Sequence, residues 1–368
     1  MEKVRAFLRR KDIIFSAKRY FIDAMGAMAQ GLFCTLLVGT ILNTIGQQFH
    51  IGFLNEVIVT IGKGDGAVHY TIGGLCSAMV GPGMAVAIAG ALKAPPLVLF
   101  SLIPVGFATN YMGGAGGPLA VLFVAIVAAE VGKAVSKETK IDILVTPIVT
   151  VLGGVGFAAL IAAPVGNAAA AVGAAIRWAT ELQPFFMGII VSVVIGVALT
   201  LPISSAAICA ALGLTGLAGG AAVAGCCAQM VGFAVMSFPE NRWGGLAAQG
   251  LGTSMLQMGN IVRNPRVWIP PTLASAITGP LATCLFHLEM NGAPVSSGMG
   301  TCGLVGQIGV YTGWVYDVAA GVKTAITGMD WLGLVLISFV LPAVLTWLIA
   351  IPLRRCGWIK DGDLKLDL

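Results

Sequence analysis

Charge is what this sequence has least of. Only 10% of its 368 residues are Asp, Glu, Lys or Arg, against about 25% in an ordinary soluble domain. Hydrophobic residues make up 57% of it, and the mean hydropathy is +0.93. A chain so poor in charge cannot cover a water-facing surface. It is stable when its outer face meets lipid and its backbone is satisfied inside helices. Histidine is scarce too, with three residues, all near the expected ends of apolar stretches and too dispersed for a metal centre. The eight cysteines, Cys34, Cys76, Cys209, Cys226, Cys227, Cys284, Cys302 and Cys356, form no C-x-x-C pair. Neither a zinc site nor a disulfide framework is indicated, and they read as small polarizable packing residues. No nucleophile–base pattern or haem motif is present, so no cofactor, no metal and no chemistry on the substrate are expected. Long polar stretches are missing apart from the first 20 residues and the last 15 or so. Any soluble partner domain is therefore expected on a separate chain.

What remains is apolar sequence in lengths that suit a bilayer, where about 20 helical residues cross the hydrocarbon core. Crossings are expected at about 21–46, 65–92, 95–109, 114–131, 141–164, 184–201, two within 206–238, then 267–287 and 331–353. Three further apolar stretches, 51–61, 244–262 and 295–315, are too short or too glycine-rich to cross and read as re-entrant segments. The expected fold class is thus an all-α polytopic membrane protein with about ten transmembrane helices and re-entrant hairpins. Its organisation is a basic amphipathic N-terminal helix over 1–20, a single transmembrane transport domain over 21–353, and a tail over 354–368.

The net charge of +5 comes from the ends. Lys3, Arg5, Arg9, Arg10, Lys11, Lys18 and Arg19 alternate with apolar residues, as in a helix lying on an anionic leaflet. Arg354, Arg355, Lys360 and Lys365 mark the tail. The positive-inside rule places both ends, and the basic loops at 133–140 and 263–266, in the cytoplasm. An even number of crossings follows. Nucleic acid is excluded as a partner because the rest of the chain lies in lipid.

Function is read from the places where the apolar rule is broken, since ionisable and amide groups at membrane depth are expensive. Asn55 and Glu56 sit in a half-length apolar stretch, which suits a re-entrant carboxylate or a surface helix. His69 starts the second crossing. Gln229 lies inside an expected span, as a helix-bridging amide or a ligand. Glu240, with Asn241 and Arg242, marks a gating turn or a solvated loop. Glu130 is expected to pair with Lys133, Asp23 with Lys18 or Arg19, and Asp142 to sit at a helix N-terminus. Glycine numbers 50, about twice the usual share, and is densest in Ser297–Gly313. There Gly300, Gly303, Gly306 and Gly309 recur every three residues beside Ser297, Thr301 and Gln307. That run suits either a re-entrant hairpin lining a substrate site or a tight helix contact. Gly298-x-Gly300-x-x-Gly303 matches a dinucleotide fingerprint only in form, with no strand before it. The expected substrate-binding set is Asn55, Glu56, His69, Gln229, Glu240, Ser297, Thr301 and Gln307.

Three segments carry a family likeness: Lys140–Gly154 (KIDILVTPIVTVLGG), Pro271–Thr283 (PTLASAITGPLAT) and Gly298–Gly309 (GMGTCGLVGQIG). With them the chain resembles the stand-alone IIC-type membrane proteins of the sugar phosphotransferase system, in the branch that includes perfringolysin-regulator-like proteins. The resemblance implies a homodimer in the bacterial cytoplasmic membrane. It also implies a small polar solute, a sugar or sugar-like compound, moved by alternating access, and phosphorylation supplied by separate IIA and IIB proteins. The acidic sugar-binding motif of such permeases has no secure match here; Asn55-Glu56 is nearest by type. Two other readings stay open: an ion-coupled or facilitative carrier without phosphotransfer, and a membrane sensor or regulator.

Overall fold

The computed structural model describes residues 2–63 and 66–366. Backbone contacts gather them into two units, residues 1–167 and 168–368.

In the first unit, α1 (Glu2–Arg10) is the basic amphipathic helix. The first long apolar helix, α2, runs Arg19–Gln47. The stretch expected to be re-entrant is instead a single helical turn, α3 (Gly52–Asn55), followed by a two-stranded hairpin. Strands β1 (Val59–Ile61) and β2 (Val68–Tyr70) pair antiparallel, Thr60 opposite His69. Their β-branched and aromatic residues, with the Gly-rich turn between them, favour strands over helix. The second crossing accordingly starts after the hairpin, as α4 (Ile72–Ala78) and α5 (Val80–Ala91), bent by 53° where they meet. Pro82 accounts for the bend: its ring removes a donor and crowds the carbonyl four residues back.

Helices α6 (Pro96–Gly113) and α7 (Gly117–Val135) form an antiparallel hairpin. A β-carbon on Gly132, near the end of α7, would lie 2.7 Å from the Val98 side chain near the start of α6. The turn between them uses Gly114 at φ +51°, open to glycine at no steric cost. Next comes α8 (Asp142–Thr180), 39 residues in one helix and so about 58 Å long at 1.5 Å per residue. The expected crossing at 141–164 and the small-residue stretch after it are one element. Its first part packs on the hairpin through Gly154 against Val105. Ile143, Leu144, Ile148, Leu152 and Leu160 face outward, as a lipid-facing stripe should.

The second unit is organised around one helix. In order it holds α9 (Pro184–Thr200), α10 (Ser205–Leu212) and α11 (Gly216–Met236). A broken stretch follows, comprising α12 (Phe238–Ala247), turns at 248–257 and α13 (Met258–Arg263). Then come α14 (Ile269–Pro280), α15 (Val305–Ala319) and α16 (Gly328–Arg355). Thr327 and Asp330 close a capping box at the start of α16, each satisfying a donor the helix leaves orphaned. Helix α11 packs against α9, α14 and α16, and almost every residue on it from Gly219 to Met236 is buried.

Two crossings were expected within 206–238; the structure has one, preceded by the two-turn α10. Of the glycines that punctuate 206–238, Gly213 and Gly216, both at positive φ, mark the break before α11, whereas Gly219 and Gly220 are contact points within it. A β-carbon on Gly225 would lie 2.7 Å from the Ser192 Cα and overlap the Ser192 carbonyl; one on Gly220 would overlap the Leu288 carbonyl. Small residues let helices approach to backbone distance.

Among the described residues, five helical runs are long and apolar enough to cross a membrane, and the α4–α5 pair makes a sixth. One of the five, Pro96–Val135, is itself the α6–α7 hairpin, and the 17-residue α9 is apolar but shorter. The protein is an all-α polytopic membrane protein.

Candidate functional site

Polar side chains in the second unit converge on α11 from two sides. On the first, fully buried Gln229 accepts from Trp268 Nε1 (2.9 Å) and Thr200 Oγ1 (3.3 Å), and donates to Thr272 Oγ1 (3.3 Å). Thr200 also meets Ser254 Oγ at 2.8 Å. Gln229 thus ties α9, α14 and the 254–257 turn to α11, the bridging use of an amide in a membrane bundle.

On the second side lies the glycine-dense segment. It is helical only from Val305 onward; before that it is a pair of tight turns at 294–298 and 302–304. Gly300, Gly303 and Leu304 all have positive φ, +53°, +53° and +60°. The three-residue glycine spacing therefore does not line a helix face: Gly300 and Gly303 shape a break, and Gly306 and Gly309 alone of the four are helical. Ser297 donates to the Leu214 carbonyl (2.7 Å), and Ser205 donates to that of Gly298 (2.7 Å). Further along the partners are soft. Thr301 Oγ1 reaches Met230 Sδ at 3.6 Å, and Gln307 Nε2 reaches Cys227 Sγ at 3.2 Å. Gln307 Oε1 is buried without a hydrogen-bond partner among the described residues. Of the expected set, then, Gln229, Ser297, Thr301 and Gln307 all gather on α11.

The 302–304 turn packs against the 248–252 turn, and there begins an amide cluster absent from the expected set. Gln249 donates to Ser237 Oγ (2.8 Å) and the Gly245 carbonyl (3.0 Å). Gln257 donates to Gln249 Oε1, and Asn260 to Gln257 Oε1, both at 2.8 Å. The last residues of the chain close the cluster. The Leu364 carbonyl accepts from Gln257 and Asn241, and that of Lys365 from Asn260. Leu364 and Ile359 are buried, so much of the expected tail is part of the second unit. The signal in the sequence was three amides, at 249, 257 and 260, in a weakly apolar stretch. Glu240 pairs with Arg354 at 3.1 Å across α12 and α16, and its other oxygen is buried without a hydrogen-bond partner among the described residues. Beside this pair is a cavity of about 340 Å³ lined by Phe238, Trp347 and Arg354 among others.

In the first unit, Asn55 donates to the Gly46 carbonyl (2.7 Å) and closes the turn between α2 and α3. Glu56 follows α3 in extended conformation, exposed and with no ion pair among the described residues. His69 lies on β2 with Nδ1 2.9 Å from Thr60 Oγ1. Glu130 does pair with Lys133 (2.8 Å) and also accepts from Tyr20 (3.1 Å). Arg19 pairs with Asp12 (2.5 Å) rather than with Asp23, and its guanidinium holds the Asp12 carboxyl below the usual range. Asp142 accepts from the Lys137 amide (2.6 Å) at the start of α8. Among the described residues, no three His, Cys, Asp or Glu side chains are placed to hold a metal ion.

Amides and hydroxyls around a broken backbone segment in a membrane-embedded helical unit are the arrangement by which transport proteins hold polar solutes. The family follows from comparison. The model of the family described as phosphotransferase system, EIIC, matches residues 22–366. The chain belongs to that family and is a membrane component of sugar transport. No curated protein and no solved structure is significantly similar to it.

Proposed function

We propose that this protein carries a sugar or sugar-like solute across the membrane by alternating access, with the solute held at the break between Ser297 and Gln307 beside α11. The observation that carries this reading is Gln307 Oε1, a buried acceptor with no partner next to backbone that the Gly300–Leu304 break frees from helical bonding. A buried polar group without a partner is costly, and a sugar hydroxyl supplies what it lacks. Thr301, whose hydroxyl donates to a sulfur, adds a group able to donate and accept. Gln229 positions α11, and Glu240 with Arg354 joins the elements at its end. Asn55, Glu56 and His69 remain candidate ligands on the first unit, with the unpaired Glu56 carboxylate foremost.

In this reading the protein is a homodimer of the bacterial cytoplasmic membrane. Both termini and the basic loops face the cytoplasm, in keeping with the positive-inside rule. Phosphorylation is supplied by separate IIA and IIB proteins, as the family membership supports. The test is uptake of a panel of radiolabelled mono- and disaccharides into proteoliposomes, with and without phosphorylated IIA and IIB proteins. Accumulation of a phosphorylated sugar only with the partners is the expected result. Uptake without them would favour the facilitative carrier, and no uptake of any sugar in either arm would refute the reading.

A further inference from the structure

A second polar feature lies wholly within the first unit. At the end of α1, beside the ends of α5 and α7, a cavity of about 350 Å³ is lined by Arg10, Lys11, Lys93, Lys133 and Lys137, with Asp12 and Glu138 as its carboxylates. Five cations face two carboxylates, and both carboxylates are committed. Glu138 pairs with Arg10 (2.6 Å) and Lys11 (2.5 Å), and Asp12 with Arg19. Lys133 is spent on Glu130 and on the carbonyls of Asp12 (2.9 Å) and Leu92 (3.0 Å). Lys93 and Lys137 have no carboxylate within ion-pair distance among the described residues.

Neither lysine can turn to the helix end beside it. The Leu92 carbonyl already accepts from Arg19 (2.6 Å) as well as Lys133, and the Ser136 carbonyl accepts from Lys11. Both lysines sit at left-handed backbone positions, φ +55° for Lys93 and +60° for Lys137. Glycine or asparagine is the usual residue there, and a side chain carries strain. Two strained lysines facing one cavity, with no ion-pair partner among the described residues, point to a ligand of opposite charge. Three span ends meet here, so the cavity lies at headgroup depth, where basic pockets attract lipid phosphates.

We infer that this cavity binds a phosphate oxyanion between Lys93 and Lys137, supplied by an anionic phospholipid headgroup or by a free phosphate compound. The full-length protein in phosphatidylcholine nanodiscs is the reference. One arm replaces part of the lipid with phosphatidylglycerol; the other titrates inorganic phosphate. The unfolding midpoint is followed in both, at low and high sodium chloride. A rise with phosphatidylglycerol alone identifies the headgroup as the source; a rise with phosphate identifies the free anion. Either response should shrink at high salt. Lys93→Gln with Lys137→Gln should weaken apparent binding roughly thirtyfold, at about 1 kcal/mol for each lysine. Lys140→Gln, outside the cavity, should leave it unchanged. The proposal is overturned if the wild type responds to neither probe, if its response is indifferent to salt, or if the double variant, folded, responds as the wild type does. Should the double variant not fold, the two single variants give the same decision.

Discussion

Gln307→Met separates a side chain kept for a ligand from one kept for packing. Methionine matches glutamine in length and flexibility, so the space beside Cys227 stays filled. The change removes two things. One is the Nε2 contact to Cys227 Sγ, where the soft acceptor puts the loss near the low end of about 0.5–1.5 kcal/mol for a hydrogen bond. The other is Oε1, buried without a partner, whose burial costs about 1–3 kcal/mol. Stability of the empty protein should therefore rise, by roughly 0.5–2.5 kcal/mol. Affinity should move the other way. A lost hydrogen bond to a neutral hydroxyl is worth about 0.5–1.5 kcal/mol, roughly a twofold to tenfold weakening. Both signs are measurable on one preparation, the first from the unfolding midpoint without sugar and the second by calorimetric titration of whichever sugar the uptake panel identifies. A lowered midpoint would mean that the amide is structural. An unchanged affinity for a sugar the wild type binds would place the site elsewhere, and Gln229 with Glu240 would be tested next.

Three further perturbations test the scaffold. Glu130→Leu leaves Lys133 buried without its partner (2.8 Å) and should cost about 3–5 kcal/mol, while Glu130→Leu with Lys133→Met should recover most of it; both are read from the unfolding midpoint. Gly225→Val drives a side chain into the Ser192 backbone, so the loss should exceed the roughly 1–3 kcal/mol of ordinary overpacking and appear as lost monodispersity in mild detergent. A stop after Gly357 removes buried Ile359 and Leu364 and the carbonyls that Gln257, Asn241 and Asn260 engage; burial alone is worth about 3–6 kcal/mol, and an unchanged midpoint would mean that the tail merely rests on the surface.

The membrane class was legible because it rests on bulk composition, which local detail cannot overturn. The Glu130–Lys133 pair and the helix-starting Asp142 were legible too, since each depends on neighbours a few residues away. The break between the crossings expected at 95–109 and 114–131 uses glycine's backbone freedom, with Gly114 at positive φ. Glycine misled elsewhere, because a sequence does not distinguish glycine as a break from glycine as a contact. Gly216 and Gly300 have positive φ, but Gly219, Gly220 and Gly225 lie inside an unbroken helix. The β-hairpin was missed although VIVTI and VHYTI flank a Gly-rich turn, since apolar character was weighed there for membrane length and not for strand signals. The amide cluster escaped for another reason. Gln257 and Asn260 are completed by carbonyls about a hundred residues away, a closure no local pattern can announce.

In the proposed transport cycle, the two kinds of contact made by α11 would let one helix serve both as anchor and as part of a moving site. Toward α9 and residues 288–290 its glycines bring backbone to backbone; Gly216 and Met290 exchange two hydrogen bonds of 3.0 Å. Such surfaces have no side chains to repack and allow only one arrangement at that distance. Toward Thr301–Gln307 the same helix offers sulfur: Met230 Sδ to a hydroxyl and Cys227 Sγ to an amide. Sulfur is a weak acceptor, and exchanging it for a sugar hydroxyl gains free energy where exchanging a backbone carbonyl would not. Ligand can shift a conformational equilibrium only by its differential affinity for the two states. A segment held by weak bonds on one side of a rigid helix is where a modest hydrogen-bonding solute has enough free energy to make that difference.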